Sequence, residues 1–322
     1  MFAAYAARQD PDDPLSALEV GDVEPGQTPT DWVTVDLKAA ALNHHDVFSL
    51  RGVGLPQERL PMILGCDGAG TLEDGTRVVV HAVIPSTGWS GDETMDPKRS
   101  LLSEVYPGTL TQQVRIPAAN AVPLPDGMSI EHAACISTSW LTAYRMLFVQ
   151  AGVRPGDTVL VQGAGGGVAS AAVQLGSAAG LRMLVTSRDE ERGQRAVDLG
   201  AEAAFESGAR LPRKVDAVLE TVGKATWSHS IKSMRPGGTV VIAGTTSGPQ
   251  PDNAELTRIF FQQMRIQGST MGTRAEMLQM LALMTSRKIE PAIDSVRPMD
   301  QARDAFAAMI DGTAFGKLIL TM

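Results

Sequence analysis

The feature that most constrains this chain is an apolar run followed at once by a glycine cluster, VLVQGAGGGVA (Val159–Ala169). Val159, Leu160 and Val161 predict a strand that is buried on both faces, as in a parallel sheet. Beyond the glycines, apolar residues recur at helical spacing as far as Gly180, which stands where a helix C-cap glycine belongs. A strand, a glycine turn and a helix in that order direct backbone N–H groups and the positive helix end at a phosphate.

A second apolar segment follows this predicted helix directly, LRMLVT (Leu181–Thr186). It ends about twenty residues beyond the glycines, where a dinucleotide-binding unit places the side chain that contacts the adenosine ribose. The glycine register has two solutions, one starting at Gly163 and one at Ala164, and the sequence leaves both open. A tight turn in another kind of parallel α/β domain is the alternative. The second strand at this distance favours nucleotide binding.

Length and composition limit the possible partners. With 322 residues, 43% of them hydrophobic, the chain is long enough for two globular domains. Its net charge of −8 argues against nucleic acid and anionic membranes as partners. Met1–Arg8 is followed by acidic residues, unlike a signal peptide, and no apolar run approaches the roughly twenty residues of a membrane span. Two cysteines fit a reducing compartment, so we expect a cytoplasmic protein.

The organisation of the chain changes near residue 122. Met1–Val122 alternates short apolar runs with Pro, Asp and Gly clusters, which is typical of antiparallel strands. From Ser129 the pattern becomes helical over Ile130–Val149, and then strands alternate with helices up to a last strand at Arg265–Ser269. This alternation predicts a doubly wound parallel sheet.

The C-terminal segment has a different pattern again. Ser295–Pro298 and Lys317–Thr321 look like strands around a helix near Asp300–Ile310, and they are candidates to return to the first domain. We therefore assign 1–122 and 287–322 to a β-rich domain and 123–286 to a nucleotide-binding domain.

Six stretches, in this order and spacing, carry a resemblance to a known family. They are AAALNHHDV (Ala39–Val47), LGCDGAG (Leu64–Gly70), GVRPGDTVLVQGAGGGVASAAVQL (Gly152–Leu175), ETVG (Glu220–Gly223), RPGGTVVIAG (Arg235–Gly244) and FGKLIL (Phe315–Leu320). The chain resembles the medium-chain dehydrogenase/reductase superfamily, in particular its zinc-free, quinone-oxidoreductase-like branch. The resemblance implies an α/β fold with a GroES-like β-rich catalytic domain and a Rossmann domain built on a doubly wound parallel sheet.

Zinc is the first chemical question that the resemblance raises. Zinc-dependent members hold the catalytic metal with two Cys and one His, and these positions fall here on Asn43, Cys66 and Ala134. One possible ligand of three does not hold a metal, so we expect none. A metal site built from four other nearby side chains stays an open alternative: His44, His45, Asp67 and Cys135.

The choice of cofactor depends on the end of the second strand. An NAD site calls for an acidic side chain there, whereas this chain has Thr186, Ser187 and Arg188. A hydroxyl and a guanidinium suit the 2′-phosphate of NADPH, and Arg192 offers a second cation. Asp189 keeps NAD possible, but the pattern favours NADPH.

The resemblance implies further cofactor contacts outside this strand end. They are expected at Asn43, Thr138, Gly166, Gly167, Val168, Val222, Ala243, Gly244, Gly316 and Lys317.

Without a metal, a substrate carbonyl must be polarised by hydrogen-bond donors. The Asn43 amide is such a donor, and His44 has the pKa range to deliver a proton, although His45 competes for that role. We therefore expect an NADPH-dependent, zinc-independent oxidoreductase that reduces a quinone or an α,β-unsaturated carbonyl compound. The alternatives are a zinc-type alcohol dehydrogenase and a non-catalytic, NADPH-binding structural or sensing protein. The resemblance also implies a homodimer that pairs through the edge of the Rossmann sheet, at Arg265–Thr270.

Overall fold

A computed structural model describes residues 1–322 and divides the chain into two compact units. Unit 1 comprises Met1–Ser139, Met271–Thr285 and Glu290–Met322, and unit 2 comprises Trp140–Thr270 and Ser286–Ile289.

These limits differ from the boundaries expected from composition, because two segments are tied into unit 1 by hydrogen bonds. Within residues 123–139, the backbone N–H of Thr138 donates to the Asp67 carboxylate at 2.6 Å. The guanidinium of Arg274 donates to the carbonyl of Ala119 at 2.9 Å. Local composition does not report such contacts, since they join residues far apart in the chain.

The first part of unit 1 contains ten strands and two short helices. The strands are β1 (Phe2–Ala6), β2 (Leu18–Asp22), β3 (Val33–Ala41), β4 (Met62–Ile63), β5 (Asp67–Thr71), β6 (Arg77–Val80), β7 (Val83–Ile84), β8 (Ser100–Leu101), β9 (Gln113–Ile116) and β10 (Ala121–Pro123), and the helices are α1 (His44–Leu50) and α2 (Ile130–Ala133). One small sheet has the order β2-β1-β4, and β7 pairs with β8. The predicted β-rich, antiparallel character of this region is confirmed.

Unit 2 contains six strands and five helices. The strands are β11 (Thr158–Val161), β12 (Arg182–Ser187), β13 (Ala203–Glu206), β14 (Val215–Glu220), β15 (Met234–Ile242) and β16 (Arg265–Gly268), and the helices are α3 (Leu141–Tyr144), α4 (Gly167–Ala178), α5 (Glu190–Asp198), α6 (Trp227–Ser233) and α7 (Leu256–Phe261). The strands form one parallel sheet in the order β13-β12-β11-β14-β15-β16. The predicted doubly wound sheet is confirmed, and its order reverses between β11 and β14.

Local sequence explains the centre of this sheet. All four residues of β11 are buried, as expected for a strand covered by helices on both faces. Gly180 has φ +81°, and the backbone N–H of Leu181 donates to the carbonyl of Gly176 at 2.9 Å, so the glycine ends α4 by a left-handed turn.

The helical segment before β11 is less regular than its sequence pattern predicts. In place of one helix over Ile130–Val149, α2 and α3 alternate with two π-helical stretches, Ile136–Trp140 and Arg145–Ala151. Wide π turns of this kind are frequent at functional sites, and the first of them carries Thr138.

The C-terminal part adds α8 (Arg274–Arg287), β17 (Ile293–Pro298), α9 (Ala302–Ile310) and β18 (Lys317–Thr321). β18 pairs in parallel with β17 and antiparallel with β3, which completes a sheet in the order β10-β6-β5-β3-β18-β17, with β9 also on β3. Phe306 of α9 is fully buried in one cluster with Leu318 and Leu320, and each such side chain contributes about 1.5–3 kcal/mol when buried. The C-terminal strand therefore belongs to the centre of unit 1.

None of the helices is both long enough and apolar enough to cross a membrane.

Candidate active site

The glycine turn of unit 2 has the geometry of an anion site. Gly163 has φ +87°, a left-handed conformation that side-chain-bearing residues rarely adopt, and it turns the chain directly after β11. Gly166 is the N-cap of the twelve-residue helix α4, and a Cβ atom built on it would meet no heavy atom within 4 Å. Unfilled space at a helix N-terminus, lined by backbone N–H groups, suits a phosphate.

A buried polar network supports the underside of this turn. The backbone N–H of Gly163 donates to the Thr186 hydroxyl at 3.1 Å, and that hydroxyl donates to Gln162 Oε1 at 2.8 Å. Gln162 Nε2 in turn donates to the Ser230 hydroxyl at 2.9 Å, which donates to Glu220 at 2.6 Å. Thr186 therefore supports the turn from inside, and the sequence pattern alone did not indicate this role.

The loop after β14 is organised by the buried carboxylate of Glu220. This carboxylate accepts hydrogen bonds from the backbone N–H groups of Val222 and Gly223 at 2.8 and 2.9 Å, and also from the Thr226 hydroxyl. The N–H of Ala243 donates to the Glu220 carbonyl at 3.0 Å. The loops that follow β14 and β15 are thus held at the same edge of the sheet.

The end of β12 carries an exposed cation, Arg188, and a carboxylate, Asp189, that is hydrogen-bonded within the chain. Asp189 is the N-cap of α5 and accepts the backbone N–H of Arg192 at 3.0 Å. The Ser187 hydroxyl donates to the Asp189 carbonyl at 2.6 Å, whereas Arg188 is exposed to solvent. The acidic side chain that kept NAD open is therefore engaged in capping a helix.

Because all strands of this sheet are parallel, the loops after their carboxyl ends share one edge. Unit 2 brings together at this edge Gly166, Gly167, Val168, Ser187, Arg188, Arg192, Val222, Ala243 and Gly244.

In unit 1, a buried ion pair lies at the centre of the second group of predicted residues. The Lys317 ammonium donates to Asp67 Oδ2 at 2.8 Å, and these side chains are 2% and 0% exposed. It also donates to Asn43 Oδ1 at 2.7 Å and to the carbonyl of Leu42 at 2.8 Å. All three ammonium protons are therefore used within unit 1. The cofactor contact predicted for Lys317 stays a prediction.

Gly316, the residue before this lysine, meets a steric requirement. Its φ is +95°, and a Cβ atom there would approach the carbonyl oxygen of Ala292 to 2.3 Å. The glycine lets β18 begin close to neighbouring backbone, which explains its presence without a cofactor contact.

Asp46 anchors the start of α1, where the predicted catalytic residues lie. Its carboxylate accepts the backbone N–H groups of Asn43 and Gly65 at 2.8 and 2.9 Å. Complete burial raises the pKa of Asp46 to about 7, although these two hydrogen bonds and Lys317 oppose the shift. Asn43 itself is buried and carries its carboxamide into the contact with Lys317.

The two adjacent histidines differ in their surroundings. His44 is exposed as a residue, yet partial removal of its ring from water, followed by the charges of Lys317 and Arg51, lowers its pKa. His45 is half-buried, with Nε2 3.9 Å from Glu104, and burial lowers its pKa against the opposing effect of that carboxylate. Both rings favour the neutral form at neutral pH.

Thr138 lies close to the ion pair. Its backbone N–H donates to Asp67 Oδ1 at 2.6 Å, and its hydroxyl oxygen is buried without a partner. A buried hydroxyl without a partner is unusual and indicates a contact that a ligand would complete.

The donor set in unit 1 does not fit zinc. Cys66 is buried, donates its thiol to the carbonyl of Leu102 at 3.1 Å, and has a pKa raised by burial. Burial likewise raises the pKa of Cys135 to about 12. No group of three His, Cys, Asp or Glu side chains is arranged to hold a metal ion, and the Lys317 ammonium is the cation that Asn43 and Asp67 bind.

The sequence analysis missed Asp46, Asp67 and Glu220 as organising residues. A usable signal existed for Asp67, because a carboxylate between Cys66 and a run of small residues predicts burial, and a buried charge requires a partner. Lys317, in the apolar strand FGKLIL, is the cation that pairs with Asp67.

With this geometry described, comparisons with known proteins identify the family. Residues 29–126 match the family model of the alcohol dehydrogenase GroES-like domain, and residues 167–286 match that of zinc-binding dehydrogenase. The structure resembles a crystal structure titled NAD-dependent alcohol dehydrogenase, with 31% identity, a TM-score of 0.92 and full coverage of both chains.

Two curated relatives cover nearly the whole chain. An alcohol dehydrogenase of Geobacillus stearothermophilus is 28% identical, over 94% of this chain and 96% of its own. An acryloyl-coenzyme A reductase of Sulfurisphaera tokodaii is also 28% identical, over 94% of this chain and 95% of its own. Fold and comparisons define an oxidoreductase with a GroES-like unit and a Rossmann unit. The chain belongs to the medium-chain dehydrogenase/reductase superfamily.

Proposed function

We propose that the protein reduces a quinone or an α,β-unsaturated carbonyl compound with NADPH and without zinc. The observation that carries this proposal is that Asn43, at one of the three positions where zinc-dependent members hold the metal, is hydrogen-bonded to the buried Lys317 ammonium, which also pairs with Asp67. A metal cation beside this ammonium would be repelled by it.

In the proposed reaction, the oxygen of the substrate carbonyl gains negative charge when hydride adds to the conjugated β-carbon. The Asn43 carboxamide meets this charge with an N–H donor, as in an oxyanion hole, which is worth about 100-fold or more in rate. Bound NADPH supplies the hydride. Conjugation delocalises the charge onto the oxygen, which makes it easier for a hydrogen-bond donor to stabilise without a metal.

We assign proton delivery to His44, which is more exposed than His45. A neutral imidazole with a lowered pKa takes its proton from solvent and passes it on to a reduced substrate.

The preference for NADPH is supported by the end of β12. Arg188 is exposed and Asp189 is engaged as a helix cap, so the local charge favours a 2′-phosphate over free ribose hydroxyls. The open space at Gly166 fits the pyrophosphate of either cofactor.

The substrate class is supported by a relative whose name describes an unsaturated thioester, acryloyl-coenzyme A. The similarity to an NAD-dependent alcohol dehydrogenase favours a second candidate, oxidation of an alcohol with NAD⁺. A non-catalytic NADPH-binding role is the third.

One set of assays separates these candidates. NADPH and NADH consumption are measured with 1,4-benzoquinone, 2-cyclohexenone and trans-2-hexenal, and NAD⁺ reduction is measured with ethanol and benzyl alcohol. We expect NADPH turnover with at least one conjugated acceptor, in protein that contains less than 0.1 zinc per chain by elemental analysis. Alcohol oxidation that depends on bound zinc would refute the proposal, and NADPH binding without any turnover would support the sensing role.

We also propose that two copies pair through the edge of the unit 2 sheet. All four residues of the edge strand β16 are exposed, and so are the apolar side chains of Leu256, Phe260 and Phe261 on α7. An open strand edge beside exposed aromatic side chains is a self-complementary surface of the kind that two-fold symmetric dimers cover. A cytoplasmic location stays a prediction from composition.

A further inference from the structure

We propose that Lys317 is a positioning residue, which fixes the orientation of the Asn43 carboxamide so that its N–H group is available to the substrate oxygen. This inference rests on the proposed function, in which Asn43 is the hydrogen-bond donor.

The orientation of the Asn43 amide follows from chemistry. An ammonium group has only donors, so the Asn43 atom that lies 2.7 Å from Lys317 Nζ must be the oxygen Oδ1. The nitrogen Nδ2 then points the other way, and its one acceptor is the carbonyl of Ala41 at 3.4 Å, which is long for such a bond. At least one N–H of Asn43 is therefore free for a ligand.

Lys317 is itself held rigidly, which makes it suitable for this task. Its two other protons go to the Leu42 carbonyl and to Asp67, both at 2.8 Å. The second oxygen of Asp67 accepts the backbone N–H of Thr138 at 2.6 Å. All three Lys317 protons and both Asp67 oxygens have partners in this arrangement, so rotation of the Asn43 amide would leave an ammonium proton unpaired.

The charge of Lys317 adds a second effect. A cation on Oδ1 draws electron density from the amide nitrogen, so its N–H becomes a stronger donor. Orientation and polarisation both act on kcat, because the substrate oxygen becomes more negative only in the transition state.

A kinetic cycle tests this coupling. Because removal of one partner alone would leave the other charge buried and unpaired, Lys317→Met is always made together with Asp67→Asn, which keeps an oxygen for the Thr138 N–H. Starting from wild type we make this neutral pair, Asn43→Leu, and all three changes together, and we measure kcat with 1,4-benzoquinone or 2-cyclohexenone and KM for NADPH. Asn43→Leu has no N–H donor and adds no charge to the cluster.

We expect Asn43→Leu to lower kcat about 100-fold and Lys317→Met/Asp67→Asn about 10-fold or more. With Asn43→Leu already present, Lys317→Met/Asp67→Asn should lower kcat no further, since no donor remains to be oriented. KM for NADPH should stay within about twofold throughout. Additive losses would overturn the inference in favour of a structural role, and a rise confined to KM for NADPH would overturn it in favour of a cofactor contact.

A second measurement does not depend on turnover. The chain has only three asparagines, Asn43, Asn120 and Asn253, so selective ¹⁵N-asparagine labelling gives three side-chain amide signals. Asn120 donates to the carbonyls of His81 and Val83 at 2.7 Å and serves as an internal control.

Comparing wild type with Lys317→Met/Asp67→Asn, in which the Asp67→Asn change adds a fourth signal, we expect the Asn43 amide signal, identified by its loss in Asn43→Leu, to shift and its two protons to exchange faster, while Asn120 and Asn253 stay unchanged. An unchanged Asn43 signal would overturn the inference. A shifted signal in a protein that reduces none of the acceptors would support the orientation by Lys317 and defeat the proposed function alone.

Discussion

At the scale of single residues, the two cations that matter most to the proposed function have opposite surroundings. Arg188 is exposed at the end of β12, whereas Lys317 is buried against Asp67. An exposed guanidinium is free to meet an incoming phosphate, and a buried ammonium is committed to its neighbours. This difference in exposure is the basis on which we propose that Arg188 recognises the cofactor and that Lys317 organises the site.

The first prediction at this scale concerns Arg188. A charge-assisted contact is worth roughly 1.5–3 kcal/mol, and solvent exposure places the effect near the lower end, so Arg188→Ala should weaken NADPH binding about 10-fold. NADH offers no anion at that position, so its affinity should hardly change. Titrations of both cofactors by fluorescence check this, with exposed Arg210→Ala as the control. Equal weakening of NADH and NADPH binding would show that Arg188 does not bind the 2′-phosphate.

The second residue-scale prediction concerns Asp46. Its pKa is raised from 3.8 to about 7 by burial, so the folded chain holds this proton more tightly, and the free energy of unfolding falls as pH rises through that window. Burial lowers the pKa of His81 from 6.5 to about 4, which has the opposite sign: its contribution grows as pH rises from 4 to 6.5. The two effects oppose each other near pH 5.5.

Asp46→Asn removes the opposing effect of Asp46. Between pH 4.5 and 6.5 the free energy of unfolding should therefore change with pH more positively than in wild type, by up to about 1.4 kcal/mol per pH unit. Urea unfolding at three pH values measures the slope, and Asp311→Asn, which removes an exposed carboxyl, is the matched control. A slope that is the same in Asp46→Asn and wild type would show that Asp46 does not titrate in this window.

At the scale of elements, strand β11, the glycine turn and helix α4 form the proposed phosphate site. The backbone would supply the binding groups there, and the glycines leave space for the phosphate. Gly166 and Gly163 contribute in different ways, the first through open space and the second through its left-handed φ of +87°.

Gly166→Val is therefore expected to abolish cofactor binding while the fold persists. The added side chain would enter space that no atom of the chain occupies within 4 Å of the new Cβ, which is where the pyrophosphate belongs. Calorimetric titration with NADPH, together with thermal unfolding, separates binding from folding. Gly21→Val, in β2 of unit 1, is the control because nothing lies within 4 Å of a Cβ atom there either. Unchanged NADPH affinity in well-folded Gly166→Val would mean that the phosphates bind elsewhere.

At the scale of the whole molecule, the edge strand β16 leaves one side of the unit 2 sheet unpaired. Ile266 of β16 is exposed, and so are Phe260 and Phe261 of α7, at 62% and 69%. These are the apolar side chains that the proposed second copy would cover.

We expect a dimer of about 68 kDa, twice the 34.1 kDa chain, by light scattering at micromolar concentration. Phe261→Glu should shift the mass to that of the monomer, because it would bury an unpaired charge at the contact. Val296→Glu, at an apolar position of unit 1 that is 51% exposed, should leave the dimer intact. A wild-type monomer, or a Phe261→Glu dimer, would count against pairing through this edge.

The sequence by itself determined the class of fold and the phosphate turn. Both depend on local periodicity, since the residue patterns of an apolar strand, a glycine turn and a helix all lie within Val159–Gly180. The predicted strand at Leu181–Thr186 was one residue from the observed Arg182–Ser187, because a strand end is set by hydrogen bonding to its neighbour. The family resemblance was confirmed as far as the superfamily, while its zinc-free branch remains a proposal.

Only the tertiary structure decided which partners the candidate residues have. β18 returns to the sheet beside β3 and brings the Lys317 ammonium to Asn43 and Asp67, which lie 274 and 250 residues earlier in the chain, while its contact with the cofactor stays a prediction. Asp189 kept an NAD ribose contact possible in the sequence, yet its carboxylate accepts the backbone N–H of Arg192 and caps the start of α5. Periodicity reports which face of an element is buried, whereas the partner of a buried charge depends on contacts between distant segments, which local sequence does not encode.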